Sequence, residues 1–406
     1  MTTTQLNELT HRLATINDLS EGEIGQNRLV YSPTWIEAQK QVIQWALKLG
    51  LTVTVDDFGT AYMDVPGTDH PDQVIATGSH IDTVAQGGRF DGLYGVLGGM
   101  QAIENLLVTE GHPKETLRLI SFSEEEGSRF PDTFTGSKHY TGAKINLAMT
   151  DPDGIHFDDA RQTAVAQLNL PGVKHDLPDL PDTFTELHIE QGPRLIDHQL
   201  QIGLVTAIVG QRRFTITVKG IANHAGTTPM DERADALEMA VTLISQLRDQ
   251  AHQLDSGLTF TVGEMHISPN TSNVIPGLVT FTIDTRSNDE QILDNFEQII
   301  HQVVAQHQEP KITSTVNRWA KSDVTHLDDQ LLAANQKTAD KLGFSSTQLA
   351  SGAGHDSQIM AKVTRTTMIF VPSIDGISHA PEENTGQVDL LHGVELLTES
   401  LHQQAY

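Results

Sequence analysis

The sequence predicts an α/β domain interrupted by a smaller α+β unit, and three observations carry that reading. Four short runs, 73–78, 116–122, 183–189 and 366–371, are apolar and rich in β-branched residues, as strands covered on both faces are. Between them lie amphipathic segments, such as 95–108, whose apolar residues recur at helical spacing. Strands and helices alternating in this way form a sheet covered by helices. The third observation is a change of character in the middle of the chain. A strand at 213–219 is followed by a long helix at 233–253 and strands at 258–267 and 278–286. A helix at 290–306 and a strand at 312–316 complete the unit. This β-α-β-β-α-β order is ferredoxin-like. The expected domains are therefore 1–210 with 326–406, and an insert at 211–325. The stretch 151–182, rich in Asp, Pro and Gly, predicts loops or short irregular elements.

Composition narrows the class. The chain has 406 residues, no cysteine, and 26 basic against 53 acidic side chains, for a net charge of −27. Disulfide scaffolds and thiolate metal sites are excluded. The field of such a protein repels nucleic acid and anionic membrane surfaces, so neither is an expected partner. No apolar stretch approaches the roughly 18 to 20 residues of a spanning helix. The opening MTTTQLNELTHRL lacks the basic-then-apolar layout of a secretory signal, so a cytoplasmic location is expected. G-x-G-x-x-G, GK[ST], HExxH and GxSxG are all missing, which removes Rossmann, phosphate-loop, thermolysin-like and serine-elbow chemistry.

The four strand-like runs end in loops that carry His, Asp or Glu. These are GSHIDTV (78–84) with GGRFDG (87–92), SEEEGSRF (123–130), ELHIEQG (186–192) and GISHAPEE (376–383). In open α/β sheets, sites form beyond the carboxyl ends of the strands. His80, Asp91, Glu126, His188 and His379 offer nitrogen and oxygen ligands suited to Zn²⁺, Mn²⁺, Co²⁺ or Ni²⁺. Five ligands exceed the needs of one tetrahedral ion with an open position. Two divalent ions sharing Asp91 are therefore expected. Asp82, two residues after His80, is placed to orient that imidazole. Glu125 is then left to move a proton from the attacking water to a leaving nitrogen. Taken singly, each histidine reads as a surface or core residue and the EEE run as a solvated face. The repeated placement at strand ends outweighs those readings.

In family order, GSHIDTV, GGRFDG, SEEEGSRF, HIEQG, RFTITVKGIANHAGTTPMDERADAL, NVIPG, TIDTR and SGAGHD resemble the amidase (hydantoinase/carbamoylase) branch of the M20 metallopeptidases. The resemblance implies the same five metal ligands, with Glu125 as general base and Asp82 as the orienting carboxylate. It also implies that the insert is a lid and dimerisation domain of a homodimer. His224 of NHAG would then reach the partner's active site and polarise the scissile carbonyl. Asn273, Arg286 and Gln191 would bind a substrate carboxylate, with Arg212 and His355 as further contacts. An arginine beside an amide makes a good carboxylate clamp, and a local cation offsets the repulsion of the protein for an anion. The implied reaction is cleavage of the ureido C–N bond of an N-carbamoyl-L-amino acid, a small substrate with a carboxylate and a ureido group. Allantoate amidohydrolase is the near alternative; β-ureidopropionase and aminoacylase or dipeptidase activity stand further off. A metal-bearing but catalytically idle binding protein is the alternative of another class, disfavoured because Glu125 is retained.

Overall fold

The computed structural model describes residues 3–20 and 24–406. The chain divides into two compact units: one runs to Thr206 and resumes over His326–Tyr406, the other is Ala207–Thr325. No helix among the described residues is long and apolar enough to cross a membrane.

The first unit is built on a ten-stranded sheet whose centre is parallel, in the order Arg365–Val371, Thr183–Ile189, His70–His80, Glu115–Phe122. The inner parts of these strands are buried without interruption because helices cover the sheet, with polar residues such as Thr77, Thr185 and Glu186 set among the apolar ones. Helix Leu93–Thr109 buries nearly every residue through Leu106, among them Val96, Leu97, Met100 and Ile103. Each such side chain contributes about 1.5–3 kcal/mol on burial. Helix Gln387–Ala405 packs beside it, tied by the Tyr94 hydroxyl, which donates to the Leu390 carbonyl at 2.7 Å. Four parallel strands running one way bring four loops to a single edge of the sheet.

The stretch 151–182 holds more order than its composition suggests. Helix Phe157–Gln167 and strand Val173–His175 lie within it. The helix buries only Phe157, Ala160 and Ala164, too sparse a stripe to be read against its Asp and Gln residues.

In the second unit, Leu278–Ser287 and Gly210–Lys219 pair antiparallel at the centre of a five-stranded sheet. Helices Ala236–Leu254 and Glu290–Gln306 cover its apolar face, where Phe214, Ile216, Val218, Phe281 and Ile283 alternate with solvent-side residues. The strand expected at 258–267 is two pieces, Thr259–Thr261 and Met265–Ser268. Thr261 faces Asp284, but Met265 faces Phe281, a one-residue shift that marks a bulge around Gly263. The last strand is longer than expected, Thr313–Ser322, and irregular between Arg318 and Ala320. Its mostly exposed, polar residues gave no apolar signal to follow.

Candidate metal centre

His80 ends the strand His70–His80 and His188 lies one residue before the end of Thr183–Ile189. Glu124, Glu125 and Glu126 follow the strand that stops at Phe122, and His379 follows the strand that stops at Val371. Asp91 sits two residues before helix Leu93–Thr109. Between them, Gly92 has φ 63°, and a Cβ there would fall 2.3 Å from His80 Cε1. Both the left-handed backbone and the close approach of the imidazole require glycine.

Asp91 is the pivot of the cluster. Its Oδ1 lies 3.2 Å from His188 Nε2 and 3.8 Å from His80 Nε2. Its Oδ2 lies 3.0 Å from His379 Nε2, which is itself 3.5 Å from Glu126 Oε2. The carboxylate thus divides two ligand groups, one oxygen to each. Ligand atoms bound at about 2.1 Å in a tetrahedron stand roughly 3.4 Å apart, so these spacings suit divalent ions. The Nδ1 atoms of His80 and His188 lie 3.1 Å and 2.9 Å from the carbonyls of Asp82 and Ile189. Those carbonyls hold the proton on Nδ1 and leave Nε2 as the nitrogen that could coordinate an ion. Glu126 Oε1 is buried without a hydrogen-bond partner, as befits an oxygen reserved for a cation. The donor set therefore fits a metal.

The electrostatics point the same way. Burial, then the Asp91 charge, pushes the Glu126 carboxyl up to about 8. Burial also pushes Glu125 well above the carboxylate range, against the pull of His80 and with the repulsion of Glu126. The hydrogen bond to Asp91 leads in raising His379 to about 9. A divalent cation offsets both the burial and the mutual repulsion that raise these carboxyls. Asp82 braces the group: its Oδ2 accepts the N–H of both Glu125 and Glu126 at 3.1 Å, and its Oδ1 is 3.6 Å from His80 Nδ1. Glu124, Gln191 and His379 all carry positive φ, local strain of the kind that collects at functional sites.

Of the residues expected to touch substrate, Gln191 is in this cluster, its amide donating to Asp91 Oδ2 at 2.8 Å. His355 is buried and packs edge-on against His188, ring centres 4.6 Å apart, so it backs a ligand instead of facing open space. Arg212 sits on strand Gly210–Lys219. Its guanidinium is fully buried in the second unit, paired with Glu290 and Asp294 and donating to the Ser322 carbonyl, so its charge is committed to pinning helix Glu290–Gln306. His224 and Asn273 are exposed and adjacent on a two-stranded ladder in which His224 pairs with Val274. His224 Nδ1 accepts the Gly226 N–H at 3.0 Å, which leaves the proton on Nε2 as an outward donor. Arg286 bonds Asp284 near the other end of strand Leu278–Ser287. Sequence reasoning missed Arg28, whose buried Nε donates to the Ile81 carbonyl beneath the first loop. It also missed Ser378 and Glu383. Arg28 belongs to no motif, and the last two lie in a quoted loop whose burial no pattern reveals.

Residues 76–403 match the family described as Peptidase family M20/M25/M40. Allantoate amidohydrolase of Bacillus subtilis (strain 168) is 39% identical over 94% of this chain and 93% of its own length. N-carbamoyl-L-amino-acid amidohydrolase of Paenarthrobacter aurescens is 35% identical over 92% of each. The crystal structure of an amidase of the hydantoinase/carbamoylase family from Burkholderia multivorans superposes with a TM-score of 0.90 at 30% identity, covering 98% of both chains.

Proposed function

The chain belongs to peptidase family M20/M25/M40 and is a hydrolase of amide C–N bonds; on that premise we propose that it releases ammonia from a small ureide bearing a carboxylate, allantoate first. The observation that carries the reaction is the Asp91 carboxylate dividing two ligand groups beside the unassigned Glu125. The choice of allantoate rests on the higher identity to the relative of that name, 39% against 35%. N-carbamoyl-L-amino acids, which the motifs alone put first, remain the second reading because the carbamoylase relative and the hydantoinase/carbamoylase structure cover the chain as fully.

His80, His188 and one oxygen of Asp91 would hold one ion, and Glu126, His379 and the other oxygen a second. Divalent ions there supply Lewis acidity and lower the pKa of water to near neutrality. Glu125, 3.8 Å from His80 Nε2 and buried, takes a proton from the attacking water and delivers it to the departing nitrogen. The product carbamate loses CO₂, so one water converts the ureide to amine, ammonia and CO₂.

His224 and Asn273 lie beyond the Leu278 end of strand Leu278–Ser287, whereas Arg286 is eight residues along it, roughly 25 Å at about 3.3 Å per residue. One copy of the unit is too long for all three to grip a single small substrate. This supports a homodimer in which His224 and Asn273 serve the partner's centre. His224 Nε2–H then stabilises the developing oxyanion, a donor worth about 3–4 kcal/mol. Mixing Glu125→Gln with His224→Ala subunits is expected to restore up to about a quarter of the sites, since each hybrid dimer has one intact pair. Demonstrated subunit exchange with no recovery would remove the cross-subunit role.

The substrate is tested by ammonia release from allantoate, N-carbamoyl-L-amino acids and N-carbamoyl-β-alanine, and by free amine from N-acetyl amino acids and dipeptides. Mn²⁺-loaded protein is expected to turn over allantoate fastest. Faster turnover of an N-carbamoyl-L-amino acid would exchange the two readings, and activity confined to the acetyl or peptide substrates would sink both.

A further inference from the structure

We propose that Glu383, acting through Ser378 and the backbone of the 88–91 loop, is a positioning residue that fixes the carboxylate of Asp91 and so sets how tightly the centre holds metal. The inference rests on the two-group metal reading above but concerns residues that reading does not use. Glu383 is only 2% exposed. Its Oε1 accepts the N–H of Phe90 at 2.8 Å and of Asp91 itself at 3.1 Å. Its Oε2 accepts the Ser378 hydroxyl at 2.7 Å, and that same hydroxyl oxygen is 3.1 Å from Asp91 Oδ2. One carboxylate thus grips Asp91 from both ends, at its main chain and, through Ser378, at its side chain.

The loop is shaped to admit this carboxylate. A Cβ at Gly88 would lie 2.0 Å from Glu383 Cδ, so the second glycine of GGRFDG is what lets the acid reach the backbone N–H groups. Burying a carboxylate beside another is costly unless its oxygens are satisfied, and here both are. The gain is geometric. A bridging aspartate must present one oxygen to each ligand group, and rotation of its side chain by one rotamer removes both at once. Ser378 has a single proton for two acceptors. When a cation occupies Asp91 Oδ2, that proton has a second carboxylate ready to accept it, so metal uptake leaves no polar atom of the trio unpaired.

The test uses the full chain stripped by chelation and titrated with Mn²⁺, bound metal being measured after equilibrium dialysis. Glu383→Ala is expected to weaken Mn²⁺ binding by about 10- to 100-fold, the usual effect of losing an outer partner of a ligand. Glu383→Gln keeps a carbonyl acceptor for the two N–H groups and is expected to recover most of that loss. Ser378→Ala is expected to weaken Mn²⁺ several-fold with the melting temperature of the metal-free protein unchanged. At saturating Mn²⁺ all three variants are expected to keep the wild-type KM. Wild-type Mn²⁺ affinity in Glu383→Ala would overturn the proposal alone. So would equal losses in the Ala and Gln variants that track a fall in metal-free melting temperature, which mark a merely structural role. A wild-type chain that takes up no Mn²⁺ would overturn the metal reading and this proposal together.

Discussion

Glu125→Gln is expected to lower kcat by about 10²- to 10⁴-fold, the range for loss of a general acid–base group, while the protein keeps its wild-type metal content. Gln matches Glu in shape, and the backbone contacts that place the residue do not involve its carboxylate: the Glu125 N–H donates to Asp82 and its carbonyl accepts from Phe134. What is lost is the ability to accept a proton. Glu126, the next residue, lies on the His379 side of the cluster, where the proposed second ion would be held, and is untouched by the change. The check is kcat alongside metal analysis of the same preparation. Turnover within a few-fold of wild type would assign the proton transfer to another group; a parallel loss of metal would make Glu125 a ligand.

Asp91→Ala is expected to lower turnover and to abolish metal binding together. Burial works to raise the Asp91 carboxyl, but His188 and His379 outweigh it and hold the group well below the carboxylate range, as an ion. Removing it deletes the one side chain shared by both ligand groups. Lewis-acid stabilisation of several kcal/mol is forfeited, and at about 1.4 kcal/mol per factor of ten the loss in kcat is on the order of 10³ or more. Mn²⁺ is expected to raise the melting temperature of the wild type and to leave that of the variant unchanged, because a ligand that does not bind the native state does not stabilise it. A variant that still melts higher with Mn²⁺ would show that Asp91 is not the shared ligand.

The sequence made the central strands and the five candidate ligands legible for a physical reason. Parallel strands are buried on both faces and read as apolar runs, and a loop that follows each of them must emerge at the same edge of the sheet. His80 and His188 could be named because they sit at the ends of such runs. What could not be read depends on partners distant in the chain. Arg212 lies on an alternating strand and carries the charge a substrate carboxylate wants; only the fold reveals Glu290 and Asp294 already around it. Glu383 is one of two adjacent glutamates, and nothing local distinguishes the buried one. The bulge near Gly263 and the sparse stripe of helix Phe157–Gln167 fall below what periodicity can resolve.

The sheet order has a consequence for biosynthesis. At its centre, the strand Arg365–Val371 lies against Thr183–Ile189, and the loop that follows it brings His379 to ligands first encoded at His80, about 300 residues earlier. A nascent chain therefore exposes His80, Asp91 and Glu126 long before the strand that completes their enclosure has been translated. Termination before that strand would leave His80, Asp91 and His188 encoded but deprive Glu126 and the second oxygen of Asp91 of His379, so the second group of the cluster is the one that depends on translation of the final strand.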